Sequence, residues 1–410
     1  MSNSKLPLGV PVLLIIKLVC WFSASFSGVL LVFAMKDQGF DTVTTLFVAG
    51  LSIGVGYCAG GFLGGYLSDQ WERSKVLHLT LFIWAISYFG LGLSQSLITF
   101  LFWGMMNGML RGGFYSISYA LIGDLSPKEV SAKIQKHAYA SMNAGMGIGA
   151  GGALWLYSQY SFQWIMFGTG CIVLLVGGIA LIGHRWITPE KNEKEPEPSF
   201  TQVVKVTTHD RALVISLVVG GMFALGFAQF ETTLPLHIKM HDLIWLYPIL
   251  QGINAVGVSL FLYANFASWV EKKIPRYSQL VWVSGFLFFF GFAFLGTSNV
   301  WTLITGMVLL TLAEAIFFPR WQEQIRLMGK AKSMAGTYLG TIGFTQLTYF
   351  VGPVIGGWIL DALGGAILFV TIALIAVLSI PLSLGMSKQE KTSLLEQQPR
   401  DMKNTASEPL

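Results

Sequence analysis

The sequence predicts an all-α integral membrane protein: twelve transmembrane helices in two pseudo-symmetric six-helix bundles. Three observations carry that prediction. Only 11% of the 410 residues are charged and 53% are hydrophobic, against about 25% charged in soluble domains. The mean hydropathy is +0.62. The apolar residues come in unbroken runs close to the ~20 residues that a spanning helix needs. Such runs exclude a membrane β-barrel, whose strands alternate over about ten residues. The composition also excludes a disordered chain, a fibrous repeat and an ordinary cytosolic enzyme.

In chain order the spans fall near 10–34, 44–67, 77–95, 98–123, 138–157, 164–183, 211–236, 244–269, 280–297, 301–325, 337–360 and 364–386. The first is too long for a cleavable signal segment and lacks a small-x-small cleavage site, so it reads as a retained helix. Cys20, Cys58 and Cys171 all sit inside apolar runs. Their odd number and spacing give no disulfide framework and no metal site, and they read as small packing residues. Segment 184–210, with the charged run Pro189–Pro198, reads as a flexible linker. It divides an N-terminal bundle (1–183) from a C-terminal one (211–386). The polar tail, 387–410, is expected to be disordered.

Lysine and arginine set the orientation. They crowd the loops after the even spans: Arg73 and Lys75; Lys128, Lys133 and Lys136; Arg185 to Arg211; Lys272, Lys273 and Arg276; and Arg326, Lys330 and Lys332. The opposite loops hold only Lys36 and Lys239. Cytoplasmic loops are the Lys/Arg-rich ones. The expectation is a multi-pass protein of the inner (plasma) membrane with both termini and the linker cytoplasmic. The net charge of +5 then records topology, and nucleic acid is not an expected partner.

The two halves echo each other. The second span ends Gly65-x-x-x-Asp69, followed by Arg73 and Lys75; the eighth ends Ala267-x-x-x-Glu271, followed by Lys272, Lys273 and Arg276. The fifth carries Gly145, Gly147 and Gly149, and the eleventh Gly352, Pro353, Gly356 and Gly357. Matching punctuation in two six-helix halves points to a transporter built from repeats. Its substrate site lies between the halves near the midplane, and rocking alternates access to it.

The stretch from Gly65 to Lys75 resembles the loop 2–3 signature of the major facilitator superfamily, G-x-x-x-D-R/K-x-G-R-R/K. It matches at Gly65, Asp69, Arg73 and Lys75 and departs at Gln70 and Glu72. Within the superfamily, Glu314-x-x-x-x-Pro319-Arg320 in the tenth span is similar to the bacterial drug:proton antiporters. The resemblance implies that Asp69 faces the N-terminal end of the eleventh helix and that Arg73 pairs with Asp124. Gly65, Asp69, Arg73, Lys75 and Asp124 would then latch the halves on the inner side; the alternative is a loop whose charges only set topology. Glycines at four-residue steps on the second helix (Gly56, Gly60, Gly64), with Gly145, Gly149, Gly352, Pro353 and Gly356, mark close helix packing.

Charges at membrane depth are costly and face a cavity or a partner. The candidates for proton coupling or substrate binding are Lys17 and Arg111 in the first half, and Glu231 and Glu314 in the second. Two accounts stand. In one, Glu314 carries a proton, while Lys17 or Arg111 senses it or holds an anionic substrate group. In the other, these charges form static buried pairs, and Lys17 snorkels to the surface. Arg320 and Glu323 fall nearer the helix end, beside neighbouring helix ends. Trp21, Tyr115, Tyr119, Asn143, Phe227, Gln229, Tyr247, Gln251 and Asn254 are candidate cavity residues. Aromatic walls with a few polar anchors suit an amphipathic small molecule, although such aromatics also serve as interfacial belts and packing.

The expected function is secondary active transport of a small organic solute by a monomer in the bilayer. Proton-coupled efflux of an amphipathic compound comes first, and no cofactor is expected. The alternative is proton-coupled uptake of an amino-acid-like or anionic nutrient. An alternative of another class, an intramembrane transferase enzyme, finds no H-E-x-x-H or G-x-S-x-G motif, and an ATP-driven pump finds no phosphate loop.

Overall fold

The computed structural model describes residues 6–127, 130–189, 199–264, 266–274 and 276–383, and these form helices and connecting turns. The predicted disordered tail and most of the charged run of the linker lie outside the described residues.

Five spans of the first half are single helices: α1 (Gly9–Asp37), α4 (Arg73–Gly92), α5 (Leu97–Leu125), α6 (Ser131–Gln159) and α7 (Phe162–Ile182). Its second span is compound: α2 (Thr42–Gly50), a π-helical turn (Leu51–Gly56) and α3 (Tyr57–Gln70). Two short helices follow, α8 (His184–Ile187) and α9 (Phe200–His209). The second half begins with α10 (Arg211–Lys239), α11 (Tyr247–Tyr263), a short α12 (Phe266–Lys273), α13 (Tyr277–Leu295) and α14 (Val300–Lys330). Its eleventh span is again compound: α15 (Ala335–Thr341), a 3-10 turn (Ile342–Leu347) and α16 (Thr348–Leu363). The twelfth begins with α17 (Gly365–Val377).

Nine helices among the described residues are long and apolar enough to cross a membrane. The other three spans are α5 and α6, diluted by glycine and polar residues, and the broken eleventh. Pairing reveals the repeat. In the first half α1 packs on α6, α3 on α5 and α4 on α7. In the second, α10 packs on α16, α11 on α14 and α13 on α17. Shifted by six spans, these are the same three pairs. The halves meet where the second span lies on the eleventh (α3 on α15) and the fifth on the eighth (α6 on α11), which are again symmetry mates.

Aromatic side chains fill each half. Trp84, Tyr88 and Phe114 are buried in the first, and Phe223, Phe288 and Phe292 in the second. Large apolar residues such as Ile98, Trp164 and Ile182 are exposed, as a hydrocarbon solvent allows.

The structure corrects several expectations. The linker is not a coil throughout: residues 200–209 are helical, capped by Ser199, whose hydroxyl accepts from Gln202 N–H while Gln202 reciprocates. Phe200 of that helix packs edge-on against Tyr66, with ring centroids 5.3 Å apart. Lys136 and Arg326, assigned to loops, lie inside helices and are buried. The eighth span stops at Tyr263 instead of reaching 269.

Candidate functional site

Between the halves, polar contacts are strung from one end of the bundle to its middle. At that end, Asp69 on the last turn of α3 is gripped by the start of α15. Its Oδ1 accepts from Gly336 N–H at 2.9 Å, and its Oδ2 from Thr337 N–H at 2.6 Å and Thr337 Oγ1 at 2.7 Å. The first N–H groups of a helix have no intrahelical acceptor, and a carboxylate there also meets the favourable end of the dipole. Arg73 donates to Asp69 and to Asp124, both at 2.6 Å, and so ties the second, third and fourth spans into one unit. Lys75 does not cross the interface: it reaches Glu72 at 2.9 Å and is largely exposed. Hydrogen bonds from Lys75 and Ser74 hold the Glu72 carboxyl below the usual carboxylate range.

Glycine permits this contact on two faces of α3. A methyl on Gly60 would run into the Met109 carbonyl, and one on Gly64 would lie 2.6 Å from Gly113 Cα, both within the first half. One step round the helix, a methyl on Gly61 would lie 3.0 Å from the Gly340 carbonyl oxygen, and one on Gly65 would strike the Gly336 carbonyl, across the interface. The other predicted packing glycines serve contacts within a half. Gly145 and Gly149 sit on the Leu18 and Phe22 carbonyls of α1, and Gly352 and Gly356 make room for Gln229. Pro353 lies inside α16.

A second polar crossing escaped the sequence reading. Arg326 binds Glu323 in bidentate fashion, at 2.7 and 2.9 Å, and its Nη2 donates to Ser131 Oγ of α6 at 3.1 Å. The Ser131 hydroxyl lies 3.3 Å from Glu323 Oε1. The clue was present: a Glu and an Arg three apart share a helix face. Nothing in the sequence names Ser131 as the partner.

Near the middle, Glu314 on α14 accepts from Tyr139 Oη of α6 at 2.9 Å and from Asn254 Nδ2 of α11 at 2.7 Å. The first bond crosses between the halves. Asn143 turns away from the carboxylate and bonds the Tyr139 carbonyl. Lys17 does not snorkel. It is wholly buried, donates to Ser118 Oγ at 3.0 Å, and lies 3.4 Å over the Tyr119 ring and 5.5 Å from that of Tyr115. Its charge is held by aromatic faces.

Arg111 of α5 lies over Trp21 at 4.9 Å and Tyr57 at 5.8 Å. It borders a pocket with Ser27, Gly28, Ser52, Asn107 and Gly108. Glu231 of α10 is exposed although it sits within a spanning helix. Its neighbours are Tyr349, whose hydroxyl lies 3.4 Å from Oε1, and Tyr247, which bonds both the Glu231 carbonyl and Gln251. Phe227 and Gln229 are packing residues here. Phe227 is ringed by Phe230, Phe288, Phe292 and Phe318, and Gln229 bonds the Gly352 carbonyl at 2.8 Å. Arg320 forms no ion pair with a described residue.

Two six-helix halves joined by breakable polar contacts, with charged side chains between them at membrane depth, define a polytopic membrane transporter. The chain matches the Major Facilitator Superfamily family model over residues 13–346. It belongs to that superfamily. It is 25% identical to the uncharacterized MFS-type transporter YqjV of Bacillus subtilis, over 88% of this chain and 89% of that protein. It is equally identical to YttB of the same organism, over 82% and 84%. The glucose transport protein of Synechocystis is also 25% identical, over 77% of this chain and 65% of that one. The human organic anion transporter MFSD10 superposes with a TM-score of 0.68 at 15% identity, covering 91% of this chain and 98% of the other. These relatives are transporters, and the chain is a transporter of small molecules, not an enzyme.

Proposed function

We propose that this chain is a proton-coupled secondary transporter. It works as a monomer in the bacterial plasma membrane, with the Asp69 latch and both termini facing the cytoplasm, and exports a small amphipathic organic compound by alternating access. The direction follows the likeness of the tenth span to the drug:proton antiporters. Uptake of an anionic nutrient would use the same residues, and Arg111, which has no ion-pair partner among the described residues, favours an anionic group on whichever solute is carried.

The observation that carries the coupling is the position of Glu314 in the seam. Both of its contacts are donors, so they favour the carboxylate. A hydrogen bond to a charged group is worth about 1.5–3 kcal/mol and a neutral one about 0.5–1.5. Protonating Glu314 therefore weakens the Tyr139 bond between the halves by about 1 kcal/mol, and rocking and proton loading become linked. In proteoliposomes with an imposed pH gradient, Glu314→Gln is expected to abolish gradient-driven accumulation while leaving exchange of bound solute. Undiminished uphill transport in that variant refutes the assignment.

A further inference from the structure

We infer that the carried solute is a zwitterion with an apolar body: its carboxylate is taken by Arg111 of the fourth span, its ammonium by Glu231 of the seventh, and its body by Trp21 and Tyr57. The inference rests on the transport reading above but not on proton coupling at Glu314.

Arg111 lies near the middle of the 29-residue α5. Its Nε is buried without a hydrogen-bond partner, and no described carboxylate stands within ion-pair distance of the guanidinium. Arg73 and Arg326 both have acidic partners, whereas Arg111 has only aromatic faces. A guanidinium without a counter-charge is costly at membrane depth, and its planar fork matches a carboxylate. Beside Arg111, Ser27, Gly28, Ser52 and Asn107 border the same pocket. The polar groups nearby are already engaged and do not compete. Ser27 donates to Asn107 Oδ1, and Asn107 donates to Ser87, both at 3.0 Å.

Glu231 has the complementary deficit. It is exposed within a 29-residue apolar helix, and no described cation pairs with it. The hydroxyl of Tyr349, at 3.4 Å, is its side chain's weak contact. The two residues flank one stretch of the seam: the π-helical turn that borders the Arg111 pocket at Ser52 packs on α16, and α16 carries Tyr349 beside Glu231. Yet Arg111 and Glu231 are not within salt-bridge distance. They belong to opposite halves. A solute bearing one charge completes one of them and leaves the other unpaired at membrane depth, where an unpaired charge is costly. A zwitterion completes both at once and spans the seam that rocking must open and close.

The test is binding to the purified full-length protein in detergent, without a pH gradient, followed by thermal shift and calorimetry. The probes are phenylalanine, tryptophan, phenethylamine, which has lost the anion, and N-acetylphenylalanine, which has lost the cation. The zwitterions should bind at least about tenfold more tightly than either singly charged analogue, as expected for a lost charge-assisted bond. Arg111→Lys, which keeps the charge but not the fork, and Glu231→Gln should each weaken zwitterion binding by a similar factor. Glu231→Gln should not change the affinity for N-acetylphenylalanine, nor Arg111→Lys that for phenethylamine. The melting temperature of each solute-free variant separates misfolding from lost binding. Equal affinity for a singly charged analogue, zwitterion binding indifferent to both substitutions, or no shift from either zwitterion overturns the inference. Zwitterion binding that survives in Glu314→Gln, together with loss or retention of gradient-driven flux, tells failure of this assignment from failure of the coupling scheme.

Discussion

Replacing Asp69 with Asn tests the latch without changing its shape. The carboxylate takes two donors on each oxygen: Gly336 N–H and Arg73 on one, Thr337 N–H and Oγ1 on the other. An amide turned one way sets its NH2 group against Gly336 N–H and Arg73, and turned the other way against Thr337 N–H, where the Thr337 hydroxyl can turn to accept. Arg73 belongs to the same half as Asp69, so one charge-assisted bond across the seam is lost in either rotamer, worth about 1.5–3 kcal/mol. The upper end, about 3 kcal/mol, corresponds to roughly a hundredfold change in the closed-to-open ratio, enough to bring a 99:1 population near parity. Cys58 is a built-in reporter. It is buried in α3 where the eleventh span crosses, and a methyl on Gly343 would lie only 2.9 Å from its Cα. With Cys20 and Cys171 replaced by Ala, N-ethylmaleimide labels Cys58 only when the seam parts. The labelling rate should rise about ten- to fiftyfold in Asp69→Asn, in step with the open fraction. A folded Asp69→Asn protein that labels at the wild-type rate would refute the latch and leave its charges as topology markers.

Gly65→Ala should open the same seam with every charge intact, because its methyl meets the Gly336 carbonyl. Overpacking costs about 1–3 kcal/mol, and combination with Asp69→Asn should be less than additive in the labelling assay. Glu323→Gln leaves Arg326 buried without its counter-charge. A loss of about 3–5 kcal/mol is expected, read as a lower melting temperature, while replacing both residues by apolar ones of similar volume should restore most of it. Asp210, at the start of α10, provides a pH test. Burial opposes its charge, but hydrogen bonds from Lys332 and Tyr338 outweigh that and hold its carboxyl below the ordinary range. A depressed folded-state value means that its contribution is fully present above about pH 4, the ordinary Asp value, and is lost as pH falls through the lower folded-state value. Asp210→Asn should flatten that acid limb of the melting-temperature profile, and an unchanged limb would assign it to other carboxylates.

Hydropathy finds the apolar middle of each helix and is blind to its polar ends. Thus α6 begins at Ser131, seven residues ahead of the predicted start, and α14 runs to Lys330, five beyond the predicted end. Those extra turns hold the contacts that the sequence reading missed: Ser131, and Arg326, taken for a loop cation. The linker helix was hidden by low hydropathy too, although Ser199-x-x-Gln202 is a capping box legible in sequence. Asp69, Arg73 and Asp124 were legible for a different reason. Two of them lie four residues apart across the short turn from α3 to α4, inside a motif with a known neighbour. Cavity candidates were the least legible. Phe227 and Tyr119 have the residue types of a binding wall, and which of them packs inside its own half depends on helix rotation, which composition does not encode.

The second span shows how one helix can be fixed on one side and free on the other. Gly60 and Gly64 press it on the fourth span, and Gly61 and Gly65, one position on, press it on the eleventh. Close packing against glycine supplies dispersion but no directional bond, so by itself it does not distinguish a permanent contact from a breakable one. The difference comes from what is added. Against the fourth span the backbone contact is joined by the Arg73–Asp124 pair and by Ser116, which donates to the Gly61 carbonyl at 3.0 Å, and both stay within one half. Against the eleventh, the added polar bonds converge on a single side chain, Asp69, at the very end of the helix. The next polar ties across the seam are Ser131 to the Glu323–Arg326 pair and Tyr139 to Glu314. Resistance to opening is therefore concentrated in a few discrete points, while the long apolar contact between them can slide. Of those points the Glu314 bond lies nearest the middle of the bundle, and under the coupling proposed above it is the bond through which proton loading would bear on movement of the halves.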